Sequence, residues 1–564
     1  MSGAPYGPWN PGIESTVPRR LLPLVTLYRP ENVFGGMEDA LELADLTGLE
    51  AEELVAFRPR RLVLHELLVR VTADLSVPDG SRLEDLGINF RAMTATILAR
   101  YLEPRMAGLE QAYEALRREF AARAGAELAA AFAGRAAARD DAAQAERLLA
   151  GWEARAASER SEPARAALRA VARVVAAVRV RHGALWGDPA LLASIATRLA
   201  CNEHGSVALG RLIEPLIAEA ARAEGYAVLP AQLRPVVMNT KGASASGKST
   251  MRPLQKALAK EIGVAWSDFA LISPDIWRKQ LLDYGSLGEA YKYAGSFTGQ
   301  ELRVIDQKLD RYMAAKAERG GMSHLLIDRF RFDSFAPESE EAGSNLLTRF
   351  GHFLYLFFMI TPPHATVERS WRRGLEVGRY KAVDDLLAHN VEAYAGMPEL
   401  FFTWALRGDK AVHYEFLDNG VAAGERPRTV AFGQNGELSV LDVRGMLDIE
   451  RYAKINVGAT RPEQLYAEGE AAAPERNARF LAQCARRLPA LNFADRASGR
   501  IYARIEAGEL AWTDPEPLGA ALADPEARAA ILAVAPAAPE ARRHRSGQLL
   551  PVAGAHTLGR WGAD

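Results

Sequence analysis

The stretch VVMNTKGASASGKSTM, Val236 to Met251, decides the fold of the middle of this chain. Apolar and β-branched residues lead into a glycine-rich turn, which ends in Gly-Lys-Ser-Thr before a sequence compatible with a helix. A strand, a G-x-x-x-x-G-K-[ST] loop and a helix in this order form a backbone cradle for phosphate groups. The stretch therefore predicts a nucleoside triphosphate site in an α/β fold, against the simpler explanation of a chance Gly/Ser loop before a helix.

Each residue type in this loop has a predicted role. The glycines let backbone N–H groups turn towards the β- and γ-phosphates, Lys248 adds a positive charge, and the Ser249 hydroxyl is a ligand for Mg²⁺. ATP is the expected nucleotide and GTP is the alternative, although the Asn-Lys-x-Asp sequence that recognises guanine does not occur. The predicted nucleotide-binding residues of the loop are Gly242, Ala243, Ser244, Ala245, Ser246, Gly247, Lys248, Ser249 and Thr250.

The composition is that of an ordinary globular protein. Of 564 residues, 49 % are hydrophobic and 25 % are charged, so most of the chain can bury enough apolar surface to fold. The formal net charge of −2 gives no global argument for nucleic acid or an anionic membrane as a partner. The length exceeds what one hydrophobic core holds, and about three to five domains are expected.

Cysteine usage and hydropathy bear on the compartment. Cys201 and Cys484 lie far apart without metal-ligand spacing, which argues against a disulfide framework or a zinc site. The longest apolar run, FLYLFFMIT from Phe353, is too short to span a bilayer, and the N-terminus lacks a signal-peptide pattern. We expect a soluble, cytoplasmic protein with no membrane partner, while secretion as an effector through a disordered N-terminus stays open.

The outer parts of the chain are expected to be mainly helical. Residues 1–29 begin with repeated Gly, Pro and Ser and are predicted to be a flexible N-terminus. Residues 30–229 indicate an α-helical domain, in which apolar residues such as Leu109 and Tyr113 recur at helical spacing. Residues 446–564 are predicted to be a helical C-terminal region that ends in a loose tail.

Residues 230–445 show the alternation of strand-like and helical segments that is typical of an α/β unit. Short apolar runs such as FALIS and SHLLID are separated by segments long enough for a crossover helix. This alternation predicts a mostly parallel sheet covered on both faces. Asn435-Gly436 between two β-rich runs predicts a hairpin, so a small antiparallel addition is expected to close the unit.

The segment LISPDIWRKQL places a carboxylate at the end of the second predicted strand. Ser273 is a good N-cap and Pro274 suits the first helical position, so Asp275 falls in the first turn of a helix. Ligands of open α/β sheets bind at this edge, where a carboxylate can accept the proton of an attacking hydroxyl. The alternative is that Asp275 only complements the helix dipole.

Two later segments add a metal ligand and basic residues. SHLLIDRFRFD ends a buried strand in Asp328, the usual context of a carboxylate that orders Mg²⁺ or its water shell beside such a loop. VERSWRRGLEVGRY supplies arginines that suit the charge developed in phosphoryl transfer, against the alternative of a solvated basic helix face. Within this reading, the predicted catalytic residues are Asp275, Lys248, Arg373 and Arg379, the metal ligands are Ser249 and Asp328, and Arg369 is assigned to the nucleotide.

The loop YGSLGEAYKYAGSFTGQE lies between the second and third predicted strands. Its tyrosines can stack on a base or sugar, or the loop is a packed surface segment, and the second explanation is favoured. Thr298 and Glu301 have the spacing of a capping box that begins the next helix.

Together these segments resemble the zeta-toxin family of P-loop kinases over Arg234 to Val443. The resemblance rests on GASASGKS, on Asp275 with Arg278, on Asp328, on the arginine-rich segment with Gly378-Arg379, and on YEFLDNG around Asp418 and Asn419. It implies a P-loop kinase core with a mostly parallel sheet, in which Asp275 is the general base and the arginines engage the transferring phosphate. The residues that the resemblance assigns to the substrate are Arg278, Asp328 and Arg329.

The resemblance also implies a function class. The implied activity is transfer of a γ-phosphate to a sugar hydroxyl of a UDP-amino sugar or, as in extended effector-like members, of NAD. The chain departs from the family pattern after the third strand, where it has Asp328-Arg329-Phe330 in place of Glu followed by Gly or Thr. An antitoxin or chaperone that masks the site is an expected partner of a toxin-like enzyme.

Two other functions fit parts of the sequence. A polynucleotide 5′-kinase uses the same loop and arginines but needs a basic channel with aromatic stacking, which the sequence does not show outside the arginine-rich segment, so nucleic acid is not the expected partner. A nucleotide-dependent switch, in which hydrolysis is incidental and the helical arms bind a partner, belongs to a different class.

Overall fold

The computed structural model describes residues 6–133, 142–329, 347–552 and 554–562. In this part of the chain ten strands form one sheet in the order β10-β9-β8-β7-β6-β5-β4-β1-β3-β2. The strands are β1 (Val236–Lys241), β2 (Phe269–Ile272), β3 (His324–Ile327), β4 (Phe353–Ile360), β5 (Ala411–Asp418), β6 (Arg428–Gln434), β7 (Glu437–Val440), β8 (Ala490–Ala494), β9 (Ile501–Glu506) and β10 (Glu509–Thr513).

The half of the sheet from β2 to β5 is parallel. β1 pairs with β3 on one side and with β4 on the other, and β2 and β5 extend the parallel set outward. The carboxyl ends of these five strands therefore meet at one edge, where ligands of such sheets bind. The α/β prediction is confirmed, and the sheet as a whole is mixed because antiparallel strands continue beyond β5.

The predicted hairpin lies in this antiparallel part. β6 and β7 are antiparallel and are joined by Asn435 and Gly436, with φ of 42° and 89°. Positive φ at both turn residues matches the twist of the flanking strands, which is why Asn-Gly is favoured there.

The region before the sheet is helical, as predicted. Its long helix α4 buries Leu109 and Tyr113, two members of the apolar stripe. The helices are α1 (Met37–Thr47), α2 (Pro59–Asp74), α3 (Asp85–Ile97), α4 (Met106–Phe132), α5 (Ala142–Ser158), α6 (Glu162–His182), α7 (Pro189–Ala200) and α8 (Ser206–Glu224).

Further helices cover the sheet and follow it. Those of the α/β unit are α9 (Arg252–Glu261), α10 (Arg278–Leu281), α11 (Ala294–Phe297), α12 (Gly299–Glu318), α13 (Pro363–Val377), α14 (Val383–Ala405) and α15 (Val443–Tyr452). Those of the C-terminal region are α16 (Arg479–Arg487), α17 (Pro515–Leu522) and α18 (Pro525–Val534).

The N-terminal segment is more ordered than its composition predicts. Short 3₁₀ turns form at Arg19–Leu24 and Thr26–Tyr28. Leu27 is fully buried, and the Thr26 hydroxyl donates a hydrogen bond to the Phe297 carbonyl at 3.2 Å. Flexibility over the whole of residues 1–29 is therefore a wrong prediction, because this segment packs on the α/β unit.

The C-terminal region also differs from the prediction. Residues 446–564 contain the strands β8 to β10, which extend the sheet beyond β7. The tail is docked, because the backbone N–H groups of Leu558 and Gly559 donate to the buried carboxylate of Glu415 at 2.6 and 2.9 Å. The Ala- and Pro-rich composition predicts a tail that is not packed on the fold. The Glu415 carboxylate inside the sheet instead supplies hydrogen-bond acceptors for the tail backbone.

The expected capping box at the start of α12 does not form. Thr298 has helical φ and ψ and makes no cap to the helix, while the side chain of Glu301 is fully buried against α2. Arg61 donates to Glu301 through two guanidinium nitrogens, at 2.5 and 2.6 Å. Glu301 therefore joins the helical region to the α/β unit.

No described helix is long and apolar enough to cross a membrane.

Candidate functional site

The glycine-rich loop between β1 and α9 is tightly packed and partly left-handed. A Cβ on Gly242 would stand 2.7 Å from both Met359 Cβ and Ser246 Oγ, so the loop begins against β4 where only glycine fits. Ala245 and Gly247 have φ of 62° and 96°. Left-handed residues in such a turn direct successive N–H groups into one concavity, which suits an anion. The non-glycine Ala245 in this conformation is the kind of local strain found at ligand sites.

Lys248 and Ser249 follow this concavity. Lys248 Nζ donates to the carbonyls of Gly242 and Ala243 at 3.0 and 2.9 Å, and Ser249 Oγ donates to Asp328 Oδ2 at 2.5 Å. Burial lowers the pKa of Lys248, and the negative charges of Asp328 and Asp275 oppose that shift. The loop lysine is thus within electrostatic reach of both predicted carboxylates.

The loop is braced by the side chains that directly follow β4 and β5 and by one side chain from α13. The Ser246 carbonyl accepts hydrogen bonds from Thr361 Oγ1 at 3.0 Å, Asn419 Nδ2 at 2.7 Å and Arg369 Nη1 at 3.4 Å. Arg369 also donates to the Asn419 carbonyl at 2.7 Å. Arg369 is thus placed beside the loop, as its nucleotide assignment requires, and it also fixes the loop backbone.

Asp275 lies at the carboxyl end of β2 within a 3₁₀ turn, Pro274–Trp277. Arg278 Nε donates to Asp275 Oδ1 at 2.8 Å, and Arg379 Nη2 donates to Asp275 Oδ2 at 2.5 Å. Although burial favours the neutral acid, Arg379 and Arg278 hold the pKa of Asp275 well below its usual range. The side chain is 45 % exposed, so a substrate can reach this ionised carboxylate.

Arg278 is held by more than its carboxylate partner. Its Nη1 donates to the Gly295 carbonyl and to Thr298 Oγ1, both at 2.7 Å. This second set of bonds fixes the guanidinium from α11 and from the residue that precedes α12. The structure therefore places Arg278 as a residue that positions Asp275.

Arg373 has a different environment from the other arginines. In the described part of the chain, its Nε is buried without a hydrogen-bond partner and no carboxylate lies within ion-pair distance of the side chain. Burial, together with the charge of Arg379, lowers the pKa of Arg373 to about 9. A half-buried cation without an ion-pair partner is a costly arrangement that a bound anion would relieve.

The chain matches no family model. Comparison with curated proteins and with solved structures likewise gives no significant match. The geometry of the site is therefore the basis for assigning its chemistry.

Arg329 does not face this site. The side chain is buried and forms ion pairs with Asp306 and Asp310 on α12, at 2.6 and 2.7 Å. Its assignment to the substrate is not supported, because both acidic partners already occupy the guanidinium inside the fold. Its neighbour Asp328 does reach the loop, through Ser249.

Two polar residues near the site were missed by the sequence interpretation. Burial lowers the pKa of Lys381 to about 8, and Asp385, 3.3 Å away, opposes the shift. Lys381 also contacts His389, whose pKa burial and Lys381 lower to about 4. Lys381 could have been predicted as a site residue because it lies two residues after Arg379. No feature of the neighbouring sequence predicts that His389 on α14 lies near the site.

The tyrosine-rich loop is packed, as favoured. Tyr291 and Trp371 both make edge contacts with Tyr380, with ring centroids 5.9 and 5.6 Å apart. Tyr293 stacks on Phe297 at 6.1 Å. Burial raises the pKa of Tyr284, and the charges of Arg278 and Arg379 oppose this shift, so Tyr284 is within electrostatic reach of these arginines.

Proposed function

We propose that this chain is an ATP- and Mg²⁺-dependent kinase that transfers a γ-phosphate to a hydroxyl group of a small molecule. The observation that carries the proposal is that Lys248 is within electrostatic reach of Asp328, which is bonded to Ser249, and of the Asp275–Arg379 pair. A loop of N–H donors, an oxygen pair for a divalent cation and an ionised carboxylate are the parts that phosphoryl transfer needs.

The residues present suit Mg²⁺ with a nucleotide. The described residues contain no group of three or more His, Cys, Asp or Glu side chains placed to hold a metal ion by itself. Mg²⁺ in phosphoryl-transfer sites characteristically takes one or two protein oxygens and completes its shell with phosphates and water. Ser249 and Asp328 would hold it, and the bound ion would neutralise charge on the β- and γ-phosphates.

The remaining steps of the reaction are assigned to side chains and backbone groups of the protein. The loop N–H groups and Lys248 hold the phosphates, and the Lys248 ammonium leaves the carbonyls of Gly242 and Ala243 to do so. Asp275 orients the acceptor hydroxyl and takes its proton as the oxygen attacks phosphorus. Arg373 and Arg379 stabilise the charge that spreads over the transferring group.

The acceptor is proposed only as a chemical class. A sugar hydroxyl of a UDP-amino sugar or of NAD is the acceptor implied by the likeness to zeta toxins, and a toxin- or effector-like role would call for an antitoxin or chaperone. GTP in place of ATP is the alternative donor.

Replacing one loop lysine tests the proposal directly. We expect a metabolite extract incubated with ATP, Mg²⁺ and the wild-type protein to gain a species heavier by one phosphate, measured by mass spectrometry. Lys248→Met should remove that species, because the loop loses its charge on the phosphates, whereas Lys260→Met, at an exposed position of α9, should retain it.

Two other outcomes would decide against the proposal. ADP release without any phosphorylated metabolite would favour the nucleotide-dependent switch. Transfer to the 5′ end of an added oligonucleotide, but to no metabolite, would make the polynucleotide kinase correct.

Gly247 provides a second test at the level of binding. A Cβ on Gly247 would stand 2.4 Å from Asn419 Nδ2, and the residue has φ of +96°. We expect Gly247→Ala to weaken MgATP binding at least about tenfold in calorimetric titration, since strain of about 1–3 kcal/mol and the displaced brace both act on the loop.

Gly263→Ala is the matched control. Gly263 has φ of +74° and no atom within 4 Å of its Cβ position, so the control carries the backbone strain without the clash. ATP affinity equal to wild type in both variants would show that this loop does not hold the nucleotide.

A further inference from the structure

The helical region contributes a side chain beside the candidate acceptor site. α3 packs on the turn that carries Asp275, and Thr94 Oγ1 on α3 donates to Gln280 Oε1 at 3.3 Å. The point where a Cβ on Gly87 would stand is 3.2 Å from Arg91 Nη1 and 3.9 Å from Ile276 Cγ2. The Arg91 guanidinium and Ile276, the residue that follows Asp275 in the chain, therefore both lie close to Gly87 on α3.

Lys279 follows Ile276 by three residues and is within electrostatic reach of both Arg91 and Arg379. Its Nζ is 5.6 Å from the centre of the Tyr284 ring. Burial, and then the positive charges of Arg91 and Arg379, lower the pKa of Lys279. Arg379 is paired with Asp275, so Arg91, Lys279 and Arg379 bring three cations to the neighbourhood of the candidate base.

Two of these three cations, Arg91 and Lys279, have no acid beside them among the described residues, whereas Arg379 is paired with Asp275. Within residues 6–133, 142–329, 347–552 and 554–562, no carboxylate oxygen lies within ion-pair distance of Arg91 or Lys279. Glu84 acts on Lys279 only from beyond that distance, and it is exposed to solvent. Like charges gathered without a counter-ion repel one another and raise the local affinity for an anion.

We propose that Arg91 and Lys279 form a subsite for a phosphate group of the acceptor, so that the helical region takes part in acceptor selection. This inference rests on the proposed kinase function and narrows it to acceptors that carry a mono- or diphosphate away from the reacting hydroxyl. A planar guanidinium and a flexible ammonium together match phosphate oxygens well. Tyr284, whose ring centre is 5.6 Å from Lys279 Nζ, would contact the part of the acceptor that joins the phosphate to the hydroxyl.

Calorimetric titration of the full chain with inorganic pyrophosphate at low ionic strength tests the subsite without requiring turnover. We expect two binding events in the wild type, one at the glycine-rich loop and one at Arg91 and Lys279. Arg91→Gln and Lys279→Gln should each weaken the second event at least about tenfold, and Lys248→Met should weaken only the first. Arg105→Gln, at an exposed position of the helical region, should change neither.

The outcomes separate the two proposals. A single event that Lys248→Met removes, or a second event unchanged in both Arg91→Gln and Lys279→Gln, overturns the subsite. Loss of only the second binding event in Arg91→Gln and Lys279→Gln supports the subsite. This conclusion holds even if Lys248→Met shows that the loop does not bind phosphate. Thermal midpoints equal to wild type in both variants will show that the loss is not caused by unfolding.

Discussion

Asp275→Asn is expected to abolish phosphoryl transfer while leaving ATP affinity nearly intact. The amide keeps the size of the carboxylate but can neither take the proton of the acceptor nor balance the charges of Arg278 and Arg379. We expect the rate of transfer to fall by about 10²–10⁴-fold, the usual contribution of a positioned acid or base. Single-turnover transfer and equilibrium binding of MgATP measure the two quantities separately.

Asp409→Asn is the control for this variant. Asp409 also pairs with an arginine, Arg407, at 2.7 Å, but it lies just before β5, at the opposite edge of the sheet from Asp275. Transfer by this variant should equal that of the wild type. If Asp275→Asn lost ATP binding and transfer together, the residue would be structural and the base would have to be another group.

The pH profile follows from the same contacts. Arg379 and Arg278 hold the pKa of Asp275 below its usual range, so the carboxylate stays ionised as the pH falls towards the ordinary range for aspartate. The proton-accepting form is thus present at neutral and mildly acidic pH. The transfer rate should show no acid limb assignable to Asp275 above about pH 4, the ordinary aspartate pKa.

Features fixed by neighbouring residues were predictable from the sequence. The left-handed Gly247, the Asn435-Gly436 hairpin and the position of Asp275 at a strand end all depend on interactions within a few residues. Each of them needs only backbone conformation and turn chemistry, which sequence patterns record well.

Features that depend on distant residues were not predictable. Arg91 lies near Ile276 on a helix far from the loop in sequence, and the Ser246 carbonyl is braced by residues from three later segments. Glu415 docks a tail whose composition predicts looseness. No local pattern marks these contacts, because they form only when the sheet brings separate segments together.

At Glu301, tertiary contacts override the capping-box pattern of the local sequence. The Thr298–Glu301 spacing satisfies the capping box, yet Glu301 pairs with Arg61 and accepts from His65 Nε2 at 2.7 Å. Burial, and then Lys308, lower the pKa of His65 to about 3, so the imidazole is neutral near pH 7 and its Nδ1 accepts from Lys308. The helical region is thus joined to the α/β unit by buried, mutually dependent polar groups.

A truncation beginning near Val228 would ask whether the helices mask the site. The truncation would also expose this polar network to solvent and destabilise the rest of the chain.

Arg61→Met should therefore destabilise the whole chain, whereas Arg60→Met should have little effect. Arg61 is 9 % exposed and its partner Glu301 is 0 % exposed, so the variant leaves a buried carboxylate without its guanidinium. Loss of one member of such a pair costs about 3–5 kcal/mol. Arg60 is 56 % exposed and pairs with Glu103 and Glu110 at the surface, where removing an ion pair costs about 0–1 kcal/mol.

Thermal and urea unfolding of the full chain, followed by circular dichroism, would measure both variants. The double variant Arg61→Met/Glu301→Met replaces the ionic pair by apolar groups and should recover most of the lost stability, because no uncompensated charge is left inside. Equal unfolding midpoints for Arg61→Met and Arg60→Met would contradict the argument. The helical region would then be joined to the α/β unit by apolar packing, and the truncation near Val228 would become a fair test of whether it masks the site.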